Sequence, residues 1–422
     1  MRILLLGNGG REHAFAWKLS QSPACEALFI APGNAGTLLH GTNLAIQPTD
    51  FPAVKTAVLD HHIDLVICGP EDPLVHGIQD FFAQDAELQS VLFFGPSQAA
   101  AQLEGSKAYA KVFMEEQGIP TADYREFSLD QLEDGLHYLA TLTPPIVLKA
   151  DGLAAGKGVV ILDNVQEAQV ELRAMLAGKF GQASATVVVE EFLSGIEFSV
   201  FAFTDGQDYK ILPVAKDYKR IGEGDTGLNT GGMGSVSHPP FVDAAMMRKV
   251  EDRIIRPTIE GLRLRNLTYR GVVFFGLISV AGEPFVIEYN CRMGDPETQS
   301  VFPRLKNDLV ELCRATAAGE LAGVEIQIDE RAVASIILVA GGYPGNYERG
   351  LEITGINEVQ DSLVFYAGVR TDGDRLLTNG GRVLAVTSYG DTFQEALAIS
   401  RKNAEKIHFK GVNFRRDIGF DL

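Results

Sequence analysis

A carboxylate and a carboxamide two residues apart, Glu288 and Asn290, close an apolar run in the stretch Val286-Ile-Glu-Tyr-Asn-Cys-Arg-Met-Gly-Asp-Pro-Glu-Thr298. Alternate residues of an extended strand share a face, so Glu288, Asn290 and with them Arg292 project together. Two hard oxygen donors suit Mg²⁺, which takes its remaining ligands from water and nucleotide phosphates. An arginine beside them could hold a carboxylate or a transferring phosphoryl group. Gly294-Asp295-Pro-Glu297 continues this polar cluster beyond what a turn requires.

A second chemical stretch is Lys149-Ala-Asp-Gly-Leu-Ala-Ala-Gly-Lys157-Gly158. It is no Walker loop, because three residues separate Gly152 from Gly156, Gly158 follows Lys157, and a strand comes next. It reads as a strand–loop–strand flap whose two lysines could close over a triphosphate and exclude water. Lys149 ends an apolar strand, where an unpaired ammonium is costly. Further on, Glu190-Glu191-Phe-Leu193 and Gly195-Ile-Glu197 leave one strand and enter another. Extended backbone beside a leucine can meet an adenine edge, and a following carboxylate can take ribose hydroxyls. The glycine-rich run Asp225–Gly234 follows Lys216, Lys219 and Arg220, a local basic cluster that favours an anion.

Near the N-terminus, Gly7-Asn-Gly9-Gly10 matches a dinucleotide fingerprint poorly. Glu12 stands at the third glycine position, and the second strand ends Ala31-Pro-Gly33 without an acid for a ribose hydroxyl. That speaks against a dinucleotide-dependent oxidoreductase. What remains is a set of backbone N–H groups at a helix N-terminus beside Arg11, able to hold a phosphate. Glu71 and Asp72 follow the third strand, where carboxylates could grip sugar hydroxyls or an amine, or Asp72 could cap a helix.

The elements that must position these groups follow from the apolar pattern. Arg2–Leu6, Ala27–Ala31, Ile63–Gly69 and Val91–Gly95 read as strands of a parallel sheet, with a helix over Ser97–Gln117. Strands Ile146–Lys149, Val159–Leu162, Val187–Glu190 and Phe198–Thr204 follow. A long helix kinked at Pro257 fits Asp243–Arg265, and a hairpin of Gly271–Val280 and Pro284–Asn290 turns at Ala281-Gly282. After a helix over Lys306–Gly319, Ala332–Ala340, Leu363–Val369, Gly381–Tyr389 and a helix from Thr392 to Ile407 read as a separate α+β unit.

The composition sets bounds. A chain of 422 residues predicts two to four packed units, and a formal charge of −18 argues against a nucleic-acid partner. The four cysteines form no CxxC pair and suit a reducing cytoplasm. No apolar run nears the roughly 20 residues of a membrane span.

These motifs in this order, with Leu103-Glu-Gly-Ser-Lys107 and Thr230-Gly-Gly-Met-Gly234 among them, resemble the phosphoribosylamine–glycine ligase (GAR synthetase) family of the ATP-grasp superfamily. The likeness runs from Gly7 to Gly419. It implies an α/β and α+β multidomain fold: an N-terminal parallel-sheet domain (1–102), an ATP-grasp core (103–121 and 188–320), a lid (122–187) and a C-terminal α+β domain (327–422). It implies ligation of glycine to 5-phosphoribosylamine by ATP through glycyl phosphate, with Mg²⁺ or Mn²⁺, in a cytoplasmic monomer without a membrane or nucleic-acid partner. The alternative is another ATP-grasp carboxylate–amine ligase of nucleotide synthesis.

By the same resemblance Lys107, Lys149, Gly152, Gly156, Lys157 and Gly158 surround the ATP phosphates. Glu190, Glu191 and Leu193 meet adenine, Glu197 the ribose, and Glu288 and Asn290 the metal. Arg292 and Asp295 are the candidate catalytic residues. Gly9, Gly10, Arg11, Glu71, Asn229, Thr230, Gly231, Gly232, Met233 and Gly234 are the candidate substrate contacts. One departure is that Gly271–Val280 lacks the further metal-binding acid carried by D-alanine ligase-like members, which leaves the number of metal ions open.

Overall fold

The N-terminal strands are buried on both faces: Ile3 to Leu6 and all of Leu65–Cys68 are inaccessible or nearly so. A parallel sheet covered by helices on both sides meets that requirement. The computed structural model, which describes residues 1–153 and 158–422, has this sheet in the order Thr42–Asn43, Ala27–Pro32, Arg2–Gly7, Leu65–Cys68, Leu92–Pro96. All four pairings are parallel.

The sheet continues past Leu92–Pro96. Tyr269 and Arg270 pair with Pro96 and Gly95, and their strand, Tyr269–Val280, carries on into an antiparallel group. Its partners there are Ile196–Thr204 on one side and Glu283–Asn290 on the other, with Tyr209–Ile211 outermost. The join demands close backbone approach, since a Cβ on Gly271 would sit 3.2 Å from Gly95 Cα. The N-terminal glycine loop and the strand bearing Glu288 therefore belong to one nine-stranded sheet. At the hairpin turn Ala281 and Gly282 have φ of 50° and 81°, the two left-handed residues of a tight type I′ connection.

A separate four-stranded antiparallel sheet spans the region expected as the lid: Tyr124–Ser128, Thr186–Glu191, Ile146–Ala150 and Val159–Leu162. Helices Leu132–Leu139 and Val165–Leu176 cover it, and Phe127, Leu148, Leu172, Met175 and Val189 share its own small core. The lid can thus pack independently of the main sheet.

The C-terminal α+β unit borrows strands from earlier in the chain. Its five-stranded sheet begins with Lys216–Asp217 and Gly234–Ser237 from mid-chain before Ala332–Val339, Arg382–Gly390 and Leu363–Tyr366. The larger sheet of this unit therefore draws two strands from mid-chain, while Glu352–Ile353, Arg375–Thr378 and Val369–Asp372 form a three-stranded sheet of their own. The expected Leu363–Val369 strand ends at Tyr366, and a new strand starts at Val369.

Two helices also differ. The Ser97–Gln117 helix breaks at Ser106, extended at φ −139° and ψ 118°, between Gln98–Gly105 and Lys107–Glu116. Ser106 caps the second helix and donates to Asp151 Oδ1 at 2.9 Å, so the contact is with a residue distant in sequence. The Asp243–Arg265 helix opens into a π turn over Glu251–Ile255 just before Pro257, which has no N–H to give the regular ladder.

Candidate active site

Glu288 and Asn290 reach the cleft through a β-bulge. Pro284 and Val286 are buried, and strict alternation would send Glu288 after them into the core. The pairing skips Ile287, however: Leu277 faces Val286, and Gly276 faces Glu288. The extra residue inverts the phase. Tyr289 and Cys291 become the buried pair, while Glu288 and Asn290 lie half-buried at the cleft. Gly276 leaves the room needed, since a Cβ there would stand 3.0 Å from Glu288 Cγ.

No hydrogen bond or ion pair engages the Glu288 side chain among the described residues. The Asn290 amide is fixed instead, its Nδ2 donating to the Tyr289 carbonyl at 2.6 Å and its Oδ1 accepting from Arg292 at 3.0 Å. A free carboxylate beside a fixed amide oxygen fits a hard divalent cation. No group of three or more His, Cys, Asp or Glu side chains suited to a metal occurs among the described residues. Further ligands would come from water and phosphate.

Arg292 is more deeply committed than a free substrate clamp would be. Its guanidinium lies 2.7 Å from Glu104 Oε1 and 3.2 Å from Glu71 Oε2, besides its bond to Asn290. Glu104 Oε2 also accepts the Cys291 N–H at 2.7 Å. Burial opposes the Arg292 charge, but Glu104 and Glu71 outweigh it and its pKa is raised. Arg292 in turn holds Glu71 at about 2. Glu71, expected at the substrate, thus reaches the site through Arg292, and Asp72 is not the cap of the helix Glu71–Val75. Glu104 is a residue that sequence reasoning missed. It stood inside a recognised motif, but a glutamate within a helix reads as a solvated charge.

The N-terminal glycine loop is not an open anion cradle. Glu12 Oε2 accepts the Gly9 N–H at 2.6 Å, and a Cβ on Gly10 would strike Gln299. Arg11 is buried, donating to Glu12 Oε1 at 2.6 Å and to the Met293 carbonyl at 3.2 Å. Gly10 and Arg11 therefore support the site from behind, and Gly9 alone borders open space. That space is a cavity of about 500 Å³ lined by Asn8, Gly9, Asn34, Asp295, Arg370 and Arg382 among others. Arg382, for which the sequence offered no signal, lies 3.2 Å from Asp295 Oδ2 and donates to the Gly231 carbonyl. Tyr343 accepts the Gly231 N–H at 2.9 Å.

The Asn229–Gly234 run divides. Thr226–Asn229 is a strand paired with Arg220–Gly222, so the expected long loop is partly a hairpin. Thr230 is tied to the Lys219 carbonyl, and Gly231 and Gly232 lie beside Arg382 and Pro296. Met233 is fully buried, and Gly234 pairs with Ile336 in the C-terminal sheet. Gly234 thus opens the next strand, and the Met233 side chain packs into the core rather than facing the cavity. The two lysines of the basic cluster are neutralised, Lys216 by Asp421 at 3.1 Å and Lys219 by Glu197 at 2.6 Å, while Arg220 donates to the Gly227 carbonyl.

Across the cleft, Lys107 starts its helix and donates to the Gly152 carbonyl at 3.3 Å. Burial lowers its pKa, with Glu288 the first influence in opposition. Lys149 lies 2.8 Å from Glu190 Oε2 and donates to the carbonyl of bulged Ile287 at 3.3 Å. Both lysines therefore flank the Glu288 strand. Glu191 is exposed, exchanging hydrogen bonds with Asp123, and Leu193 is half-buried beyond it. Gly156 and Lys157 lie outside the described residues. Glu297, placed by the sequence in the polar cluster but given no role there, is buried, accepts from Ser199 at 3.0 Å, and is pushed up to about 7 by burial and by Asp217.

A cleft between a small antiparallel lid and a sheet bearing a metal-type pair is the arrangement of ATP-grasp enzymes, and residues 105–298 match the phosphoribosylglycinamide synthetase ATP-grasp (A) domain. Residues 1–104 and 333–421 match the N and C domains of the same synthetase. The chain belongs to the phosphoribosylglycinamide synthetase family. It is 47% identical to phosphoribosylamine–glycine ligase of Vibrio cholerae over 426 residues, covering 100% of this chain and 98% of the relative. The Haemophilus influenzae ligase is also 47% identical, with the same coverage. The crystal structure of phosphoribosylamine–glycine ligase from Thermotoga maritima superposes with a TM-score of 0.85 at 35% identity, covering 99% of this chain and 100% of that one. The biotin carboxylase domain of Hydrogenobacter thermophilus 2-oxoglutarate carboxylase, at 16% identity and TM-score 0.73, shares the fold, covering 99% and 92%.

Proposed function

We propose that ATP lies between the lid and the strand Glu283–Asn290, and that its phosphates face Lys107, Lys149 and the Gly152–Gly158 segment. The protein is an ATP-dependent carbon–nitrogen ligase that joins glycine to 5-phosphoribosylamine. A carboxylate is too electron-rich for an amine to attack, so it must first be activated. A glycine oxygen attacks the γ-phosphorus and ADP leaves, giving glycyl phosphate. The phosphoribosylamine nitrogen then attacks the glycyl carbonyl carbon, phosphate departs, and the nitrogen loses a proton.

The observation that carries the placement is the Ile287 bulge, which turns Glu288 and Asn290 toward the cleft that Lys107 and Lys149 share. Glu288 and Asn290 would hold Mg²⁺ or Mn²⁺, which supplies, when bound, positive charge against the oxygens of the transferring phosphoryl group. Glu190 and the Glu191–Leu193 backbone would take adenine, and Glu197 the ribose. Arg292, Asp295 and the Asn229–Gly232 segment would position glycine and 5-phosphoribosylamine. The cavity beside Gly9 suits a sugar phosphate: Asn8 and Asn34 line it, and Arg370 is an exposed cation on its wall. We divide the chain for this purpose at 1–102, 103–121 with 188–320, 122–187 and 327–422.

A cytoplasmic enzyme is the reading favoured by four free thiols, and a monomer is the state expected of it. No helix among the described residues is long and apolar enough to cross a membrane.

ADP release from Mg-ATP should require glycine and freshly made phosphoribosylamine together. Alanine should be poor, because an extra methyl in a filled site costs roughly 1–3 kcal/mol. Equal turnover with formate or aspartate would overturn the substrate assignment. The lid offers a second test. Amide exchange at Gly152 and Gly158 should slow when a non-hydrolysable ATP analogue and Mg²⁺ are added. Unchanged protection at both glycines would count against this segment as a phosphate flap.

A further inference from the structure

Where the lid joins the core, one buried carboxylate meets two ammonium groups. Glu190 is 3% exposed, with Oε2 2.8 Å from Lys149 Nζ and Oε1 3.3 Å from Lys111 Nζ. Oε1 nonetheless makes no hydrogen bond, so a buried acceptor is left for another donor. The two lysines are not equivalent. Lys149 borders the cleft beside the Ile287 carbonyl and can turn to a phosphate.

Lys111 cannot. It is 2% exposed, and its Nζ donates to Thr121 Oγ1 at 2.8 Å and to the Ala122 carbonyl at 3.1 Å. Thr121 Oγ1 donates in turn to the Val286 carbonyl at 2.8 Å, on the strand that bears Glu288. The chain enters the lid through Thr121–Tyr124 and returns through Glu190. A single ammonium on the helix begun by Lys107 thus touches both crossings.

We propose that Lys111 is a positioning residue for ATP, the standing counter-ion that holds the Glu190 carboxylate aimed at the adenine amino group once Lys149 turns to the phosphates. This rests on the adenine reading of Glu190 and adds the residue that makes the contact selective. A buried carboxylate without a counter-ion takes up a proton rather than remain charged. Ionised, Glu190 only accepts hydrogen bonds and so selects a 6-amino purine. Protonated, it also donates and tolerates a 6-oxo purine. Burial lowers the Lys111 pKa to about 8 against the pull of Glu190, which leaves the ammonium charged at neutral pH.

The test compares ATP with inosine triphosphate in the complete ligase reaction for wild type, Lys111→Met and Glu190→Gln. Lys111→Met should lower the ATP-to-ITP ratio of kcat/KM by roughly tenfold or more, chiefly through KM for ATP, with kcat at saturation little changed. Glu190→Gln should lower the same ratio. If Glu190→Gln lowers it and Lys111→Met leaves it intact, the role of Lys111 is overturned while the adenine contact stands. If neither changes it, the adenine reading fails and this inference with it. Should the methionine variant not fold, Lys111→Gln retains a donor for Thr121 and Ala122 without the charge. A folded glutamine variant with wild-type preference would equally overturn the proposal.

Discussion

Glu288→Gln should yield a folded protein that barely turns over. The substitution keeps the side chain's shape and removes only its charge, and no side-chain hydrogen bond or ion pair among the described residues is made to that carboxylate. Thermal unfolding should therefore stay near that of the parent. In the reaction, loss of one preorganised electrostatic contact commonly lowers kcat by about 10²–10³-fold, or roughly 3–4 kcal/mol. The carboxylate is one of only two protein oxygens in the proposed metal pair, so the larger figure is expected, with partial rescue at high Mg²⁺ or Mn²⁺. Turnover within about threefold of wild type at low Mg²⁺ would show that Glu288 does not hold the metal.

Arg292→Met should behave in the opposite manner, harming the fold as well as the reaction. Its guanidinium compensates buried Glu104 and half-buried Glu71, and steadies the Asn290 oxygen. Removing one partner of a buried pair typically costs 3–5 kcal/mol, roughly, because the other charge is left alone. The pH dependence carries a distinct signature. Glu71 sits at about 2 against an ordinary 4.5, chiefly because of Arg292. A lowered carboxylate contributes stability that is present above the unfolded value and is lost as pH falls through the folded one.

The gap in stability between parent and Arg292→Met should therefore be widest at neutral pH and narrow from about 4.5 toward about 2. Denaturant titrations across that range would measure it. A constant gap would mean that Arg292 stabilises through packing of its stem rather than through the two carboxylates. In the same variant Asn290 loses the donor that orients its oxygen, so metal dependence should shift to higher concentration. Glu288→Gln and Arg292→Met thus separate a residue that acts on the reaction from one that also holds the site together.

Much of the site was legible because its signals are local. Glu288 and Asn290 share a strand face by period alone, and the turn at Ala281-Gly282 follows from two residues that tolerate positive φ. The Lys149 flap could be told from a Walker loop by spacing and by the strand after it, and Val159–Leu162 is that strand. Apolar runs buried on both faces announced the parallel sheet. Each of these inferences needs only a few neighbouring residues and the geometry of an extended chain.

The tertiary structure decided everything that depends on partners far away in the chain. Glu71 and Arg292 are 221 positions apart, and nothing near either marks the other as its counter-ion. Lys216 and Lys219 read as a basic patch until Asp421 and Glu197 arrive to neutralise them. Glycines at Gly9 and Gly10 looked like an open cradle, yet Glu12 and Gln299 fill it. Even the outward turn of Glu288 depends on Ile287 being skipped by its partner strand, which the chain's own alternation does not reveal. The sequence determined which chemical groups this protein carries and their local geometry. Pairing between distant strands and charges determined which of those groups remain free to act, because a charge or strand edge is satisfied by whatever the fold brings against it.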